Sequence, residues 1–170
     1  YQTLFAQNSA TATDTYNTAV GALAGAEVTT GTQNTIVGGL AADALTTGFQ
    51  NVAIGVDALS TDTAGNKSVA IGRSALSSQN FSSDTDGLNT AVGYFAGVGI
   101  TTGKRNAFLG AEAGASNTTG ESNTYIGRQA GTSMTTGSNN TIIGRYNGNQ
   151  DSLDLRTSSN NIVLSDGDGN

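Results

Sequence analysis

The 170-residue chain contains no cysteine, no histidine, no tryptophan and no proline. Without cysteine there is no disulfide, no thiolate nucleophile and no thiolate-bound metal. Without histidine the commonest general base and metal ligand is missing. Most hydrolase and metalloenzyme designs fall with those two residues, leaving only carboxylate chemistry. Charged residues make up 12% of the chain, about half the usual fraction, so it lacks the composition of a disordered tail. The net charge is −6, and only Lys104 and Arg105 are adjacent among the seven basic residues. That pattern is wrong for nucleic acid, which needs clustered cations. No apolar run approaches the ~20 residues of a membrane-spanning helix, so no membrane insertion is expected. There is no signal peptide, and the chain opens at Tyr1, as a processed product or a piece of a longer protein would. The expectation is a non-enzyme with no cofactor.

What the chain does have is a repeat. Asn-Thr-Ala-Val-Gly at 17–21 returns as Asn-Thr-Ile-Val-Gly at 34–38 and Asn-Val-Ala-Ile-Gly at 51–55. It continues to Asn-Thr-Ile-Ile-Gly at 140–144, with a degenerate ninth copy at 161–165. The motif glycines are Gly21, Gly38, Gly55, Gly72, Gly93, Gly110, Gly127 and Gly144. They lie 17 residues apart except for one step of 21 between Gly72 and Gly93. Thr-Thr-Gly or a near variant precedes most copies. A small residue follows three positions after the motif glycine, as at Ala24, Ala41 and Ala58.

Seventeen residues are too few for a helical repeat unit, which needs about 33 or more. They suit one coil of an all-β parallel β-solenoid, with two short strands and two turns. Triplets such as Thr-Ala-Val and Val-Ala-Ile favour strands, and glycine at fixed offsets supplies turns. The spacing divides the chain into an N-terminal extended or capping segment (1–16), a solenoid of eight 17-residue repeats (17–148) and a C-terminal stretch (149–170). An insertion falls near 77–88.

The residue before each motif glycine is always apolar: Val20, Val37, Ile54, Ile71, Val92, Leu109, Ile126 and Ile143. These are the expected core. The residue before that, on the opposite strand face, is also mostly apolar: Ala19, Ile36, Ala53, Ala70, Ala91, Phe108, Tyr125 and Ile142. A strand facing water alternates apolar with polar. Both faces therefore need cover, and a thin 17-residue coil gains from oligomerisation. A second copy of the chain is the simplest cover, with a homotrimer around a fibre axis as the expected form.

The strings 51–59 and 68–76 resemble the head repeats of trimeric autotransporter adhesins. That resemblance implies a left-handed β-roll assembled as an intertwined trimer. The repeats at 89–103 and 123–137 more closely resemble those of bacteriophage tail-fibre and bacterial surface-fibre proteins. The tail 158–170 resembles the stretch preceding an endosialidase-type intramolecular chaperone. These resemblances imply an extracellular fibre, on a virion tail or a bacterial surface. Its partners would be its own copies and a cell-surface glycan or protein receptor.

Asn17, Asn34, Asn51, Asn89, Asn106, Asn123 and Asn140 recur at one phase of the coil. They read as a hydrogen-bonded ladder or as a sugar-binding row. The insertion is the candidate binding loop, with Asn80, Phe81, Asp84 and Asp86. Phe81 would stack on a sugar or tuck under its own loop. Asp84 and Asp86, with Asp62, are the carboxylates a polysaccharide-cleaving tailspike would use, against the plainer reading of an exposed polar loop. Asp166, Asp168 and Asn170 alternate as at the start of a calcium loop, or form an ordinary Asp-Gly turn.

Overall fold

The computed structural model describes residues 3–7, 14–150 and 152–166. Asp168 and Asn170, and with them the calcium-loop reading, lie outside the described residues. Within the described residues the chain is all-β, with no helix. In chain order the strands are β1 (Thr18–Val20), β2 (Thr35–Val37), β3 (Val52–Ile54), β4 (Gly65–Asn66), β5 (Val69–Ile71), β6 (Thr85–Asp86) and β7 (Thr90–Val92). They continue as β8 (Ala107–Leu109), β9 (Thr124–Ile126), β10 (Thr141–Ile143), β11 (Asn149–Gln150), β12 (Leu153–Asp154) and β13 (Ile162–Leu164). Nine of them form one parallel sheet in the order β1-β2-β3-β5-β7-β8-β9-β10-β13. Equivalent repeat positions stand opposite each other, Thr18 against Thr35 and Thr35 against Val52. The fold is a parallel β-solenoid of nine coils.

Each regular coil has one three-residue strand rather than the two expected. The rest is tight turn, and left-handed backbone at ordinary side chains makes this possible. Gln33, Gln50, Lys67, Leu88, Arg105, Ser122 and Asn139, each just before the motif position, have φ between 52° and 60°. This bend redirects amides between neighbouring coils. The Gln50 N–H donates back to Thr32, while the Thr35 N–H donates forward to Asn51. Bent backbone thus keeps its hydrogen bonds without a second strand. Residues 3–6 are likewise no strand. They curve over the first coil, with Leu4 N–H donating to Ala24 and Ala6 N–H to Ala26.

The core also departs from expectation. The middle residue of each strand points inward: Ile36, Ala53, Ala70, Ala91, Phe108 and Tyr125 are fully buried. The expected core residues Val20, Val37, Ile54, Ile71, Val92, Leu109, Ile126 and Ile143 face outward. Val20 is 59% and Leu109 50% exposed. One position of register exchanges the two faces of a strand. Space decides which face is inside. Alanine is the commonest residue in the inward column, opposite Leu45, Leu59 and Leu76 from the turns, which are also fully buried.

Candidate functional site

The asparagine column lies inside the wall and is structural. Each Oδ1 accepts the backbone N–H of the next coil's motif residue, from Asn34 to Asn17 at 2.8 Å through Asn140 to Asn123 at 2.9 Å. The Nδ2 of every motif asparagine but the last donates to the carbonyl of the glycine that ends the Thr-Thr-Gly or variant turn, as Asn51 does to Gly65 at 2.8 Å, and Asn140 donates to Ser158 at 2.8 Å. From Asn34 to Asn140 these side chains are essentially unexposed, so a sugar has no access to the row. The ladder runs from side chain to backbone rather than mainly through stacked amides. Where the asparagine is present, it ties its strand to the turn preceding the next.

The column fails once, at Ser68, and there Gln79 bridges the break with contacts of its own. Gln79, from the start of the insertion, donates to Ser68 Oγ at 3.2 Å and to Asp62 Oδ2 at 2.6 Å. Its own Oε1 accepts from Asn89 Nδ2 at 2.8 Å. Asp62 Oδ1 accepts the N–H groups of Gly65 and Phe81, both at 3.0 Å. The insertion therefore links Ser68 to Asn89 through Gln79, a role invisible without the three-dimensional partners.

Burial pushes the Asp62 carboxyl above its usual value, with the hydrogen bonds from Gln79, Phe81 and Gly65 opposing the shift. A raised value means folding favours the protonated acid. The stabilisation is full below the ordinary carboxylate value near ~4 and is lost as pH rises through the folded value. Urea midpoints taken from about pH 4 to 7 should therefore fall more in the parent than in Asp62→Asn. A constant offset between the two proteins across that range would refute the shift. Asp43, also pushed up by burial, is common to both proteins and cancels in the comparison.

The candidate loop is ordered by the coil beneath it. Phe81 is 5% exposed and tucks under its own loop, which removes it as a sugar platform. Asn80 is exposed and accepts from Thr63 Oγ1 at 3.3 Å. Asp84 accepts from Asn66 Nδ2 at 2.6 Å, and Asp86 pairs with Lys67 Nζ at 2.7 Å. β4 and β6 pair in parallel here, adding a local second strand to two coils. Asp84 and Asp86 thus each hold a cation or amide of the preceding coil, while Asp62 is buried among Gln79 and backbone amides. The three carboxylates are not brought together on a substrate face.

A shallow hollow of about 310 Å3 lies near the C-terminal end, lined by Thr135, Asp154, Arg156 and Thr157. Arg156 hydrogen-bonds Asp154 and holds its carboxyl down to about 2. At neutral pH that group is an anion already paired, unsuited to act as a general acid.

The outer face of the main sheet presents apolar side chains to solvent. Val20, Leu109, Ile126, Ile143 and Leu164 form one aliphatic column there with the half-buried Val37, Ile54, Ile71 and Val92. Exposed Leu23, Leu40, Val56 and Tyr94 lie on the turns that directly follow the strands. No protein-family model, no curated protein and no solved structure matches this chain.

Proposed function

We propose that this chain is a structural and adhesive segment of an extracellular fibre, a phage tail fibre or receptor-binding fibre. In this reading three copies wind in parallel, as left-handed β-rolls, around a common axis. The aliphatic column on the outer sheet face carries the reading. Eight strand gaps at ~4.8 Å and three residues at ~3.3 Å give a strip of roughly 40 by 10 Å. That falls short of the roughly 800 Å2 that each partner contributes to a stable interface. The exposed aliphatic and aromatic residues on the adjoining turns widen it, and a threefold arrangement gives each chain two neighbours. The insertion loop would then appear three times per fibre, so weak contacts to a surface glycan or protein add through avidity.

Light scattering should give three times the chain mass, and a clean monomer would overturn the reading. Leu109→Asp with Ile126→Asp should convert the trimer to monomers while leaving the parallel sheet folded, because both side chains project away from the core. Circular dichroism on the same samples separates dissociation from unfolding. A glycan array on the trimer tests the adhesive half of the proposal separately.

A second reading, a bacterial surface filament or adhesin head whose subunits add end to end, is favoured by one observation. Among the described residues, β1 and β13 each pair along one edge only. An open strand edge templates addition of another. Electron micrographs showing filaments that lengthen with protein concentration would favour it over a discrete trimer.

A further inference from the structure

The outer sheet face has two flanks, formed by the turn before each strand and the turn after it. The residue just before each motif stands on the first flank, and from Gln33 to Asn139 it is polar except at Leu88. Leu88 is 46% exposed, and Tyr16, at the same position of the first coil, is 71% exposed. The second flank carries Leu23 just after β1 and Tyr94 just after β7, and both are exposed. The apolar residues of the first flank thus stand level with apolar residues of the second. After β2 and β3 the second flank carries Leu40 and Val56, level with the long side chains of Gln33 and Gln50.

Charge is matched in the same way. Lys104 and Arg105 precede β8 and Glu112 follows it, whereas Glu121 precedes β9 and Arg128 follows it. Over these two levels the first flank reads positive then negative, and the second reads negative then positive. Arg105 and Glu121 pair within the chain. Arg128 pairs with no carboxylate of its own chain among the described residues, and Glu112 with no cation. Glu112 accepts instead from the neutral Gln129 carboxamide at 2.8 Å. Like charges stand level at β5, with Lys67 before the strand and Arg73 after it. There Asp86 neutralises Lys67 at 2.7 Å, and the Arg73 guanidinium lies 5.5 Å from the centre of the Phe95 ring.

Rotation about an axis along the stack keeps every coil at its own level and sends the strands of all copies the same way round. The second flank of one copy then meets the first flank of the next, a head-to-tail contact that closes into a ring. We propose that copies of this chain dock flank to flank, parallel and in register. Tyr94 then meets Leu88 of the next copy, and Glu112 and Arg128 meet its Arg105 and Glu121. This rests on the trimer reading above and adds to it the surfaces that touch and the register at which they lock. Complementary charge of this kind selects register and orientation more than it adds affinity.

The chain has no cysteine, so paired cysteines report contacts cleanly. Gln33 and Gly39 stand level on opposite flanks of β2 and belong to none of the proposed contacts. Full chain carrying Gln33→Cys and Gly39→Cys, treated with a short bismaleimide, should give a covalent species of three chain masses on a denaturing gel. Gly39→Cys with Arg145→Cys, two positions far apart on one flank, should give none. Linkage of that second pair would show copies running in opposite directions and would overturn the inference. A protein that scatters as a trimer but does not link through the first pair overturns it while leaving the trimer standing. A monomer overturns both. Charge gives a second readout. Arg128→Glu sets an acid against Glu121 and should raise the concentration of half-dissociation about tenfold or more. Arg145→Glu, the same change one coil on, faces the neutral Asn139 and should shift it less than about threefold. Equal shifts, with circular dichroism showing both variants folded, would mean that the flanks do not meet in register.

Discussion

Gly38→Ala should abolish or nearly abolish stable folding, while Gly39→Ala, one residue along, should be almost silent. Gly38 has φ +142°, where an L side chain is strained, and its Cβ would meet the carbonyl carbon of Gly55 at 2.6 Å. The obstruction is backbone of the next coil, which cannot rotate aside. The same contact recurs up the column, with each motif glycine lying against the carbonyl of its successor. Strain of this type costs about 1–3 kcal/mol alone, and forcing adjacent coils apart adds to it. A loss of about 3 kcal/mol or more is expected. Gly39 has no left-handed φ, and the nearest atom to its added Cβ is the Ala22 carbonyl oxygen at 3.9 Å. Its replacement should fall within about 0.5 kcal/mol, or stabilise slightly by restricting the unfolded chain. Urea melts of the two single variants measure both. Equal effects would mean that the glycine column is not held by coil contact.

Much of this architecture was legible because repetition reports on stacking. A motif glycine every 17 residues fixes the coil length, and an asparagine at one phase fixes a ladder along the stack. The face of the strand was less legible. Ala19 and Val20 are both apolar, and nothing in hydropathy says which looks inward. Side-chain size was the available clue. Ala53, Ala70 and Ala91 suit the narrow interior of a short coil, whereas Ile54, Ile71 and Val92 suit an outer face awaiting cover. The left-handed positions were not legible at all. Gln50, Lys67 and Arg105 have φ of 57° to 58° with side chains that carry no such preference, because coil-to-coil hydrogen bonds impose the bend. Nor could sequence show that Gln79 bridges the break in the asparagine column at Ser68. That bridge crosses 11 residues of chain and exists only as geometry.

A second column was present in the sequence and became meaningful only beside the core. Four residues after the motif glycine stand Ala42, Leu59, Leu76, Gly97, Gly114 and Gly131 in successive coils. Where this position is leucine, the neighbouring inward strand residues are Ala53, Ala70 and Ala91. Where it is glycine in the later coils, they are Phe108 and Tyr125. A Cβ at Gly114 would lie 2.7–2.8 Å from three atoms of the Phe108 ring, and one at Gly131 2.6 Å from Tyr125 Cδ2. Backbone conformation does not demand glycine here, since Leu59 and Leu76 adopt φ of 56° and 52° at the same place. The aromatic ring demands it. Gly114→Leu should therefore be strongly destabilising in the parent, because the ring has no free volume into which to move. Phe108→Ala should cost about 3–5 kcal/mol through the cavity it leaves. Together they restore the leucine-alanine pairing of the middle coils, so the double variant should be more stable than the sum of the singles by at least about 2 kcal/mol. A double-mutant cycle by urea denaturation measures that coupling. Additive losses would show that the two columns do not share one space, and the thin interior would then need some other account of how it stays filled from coil to coil.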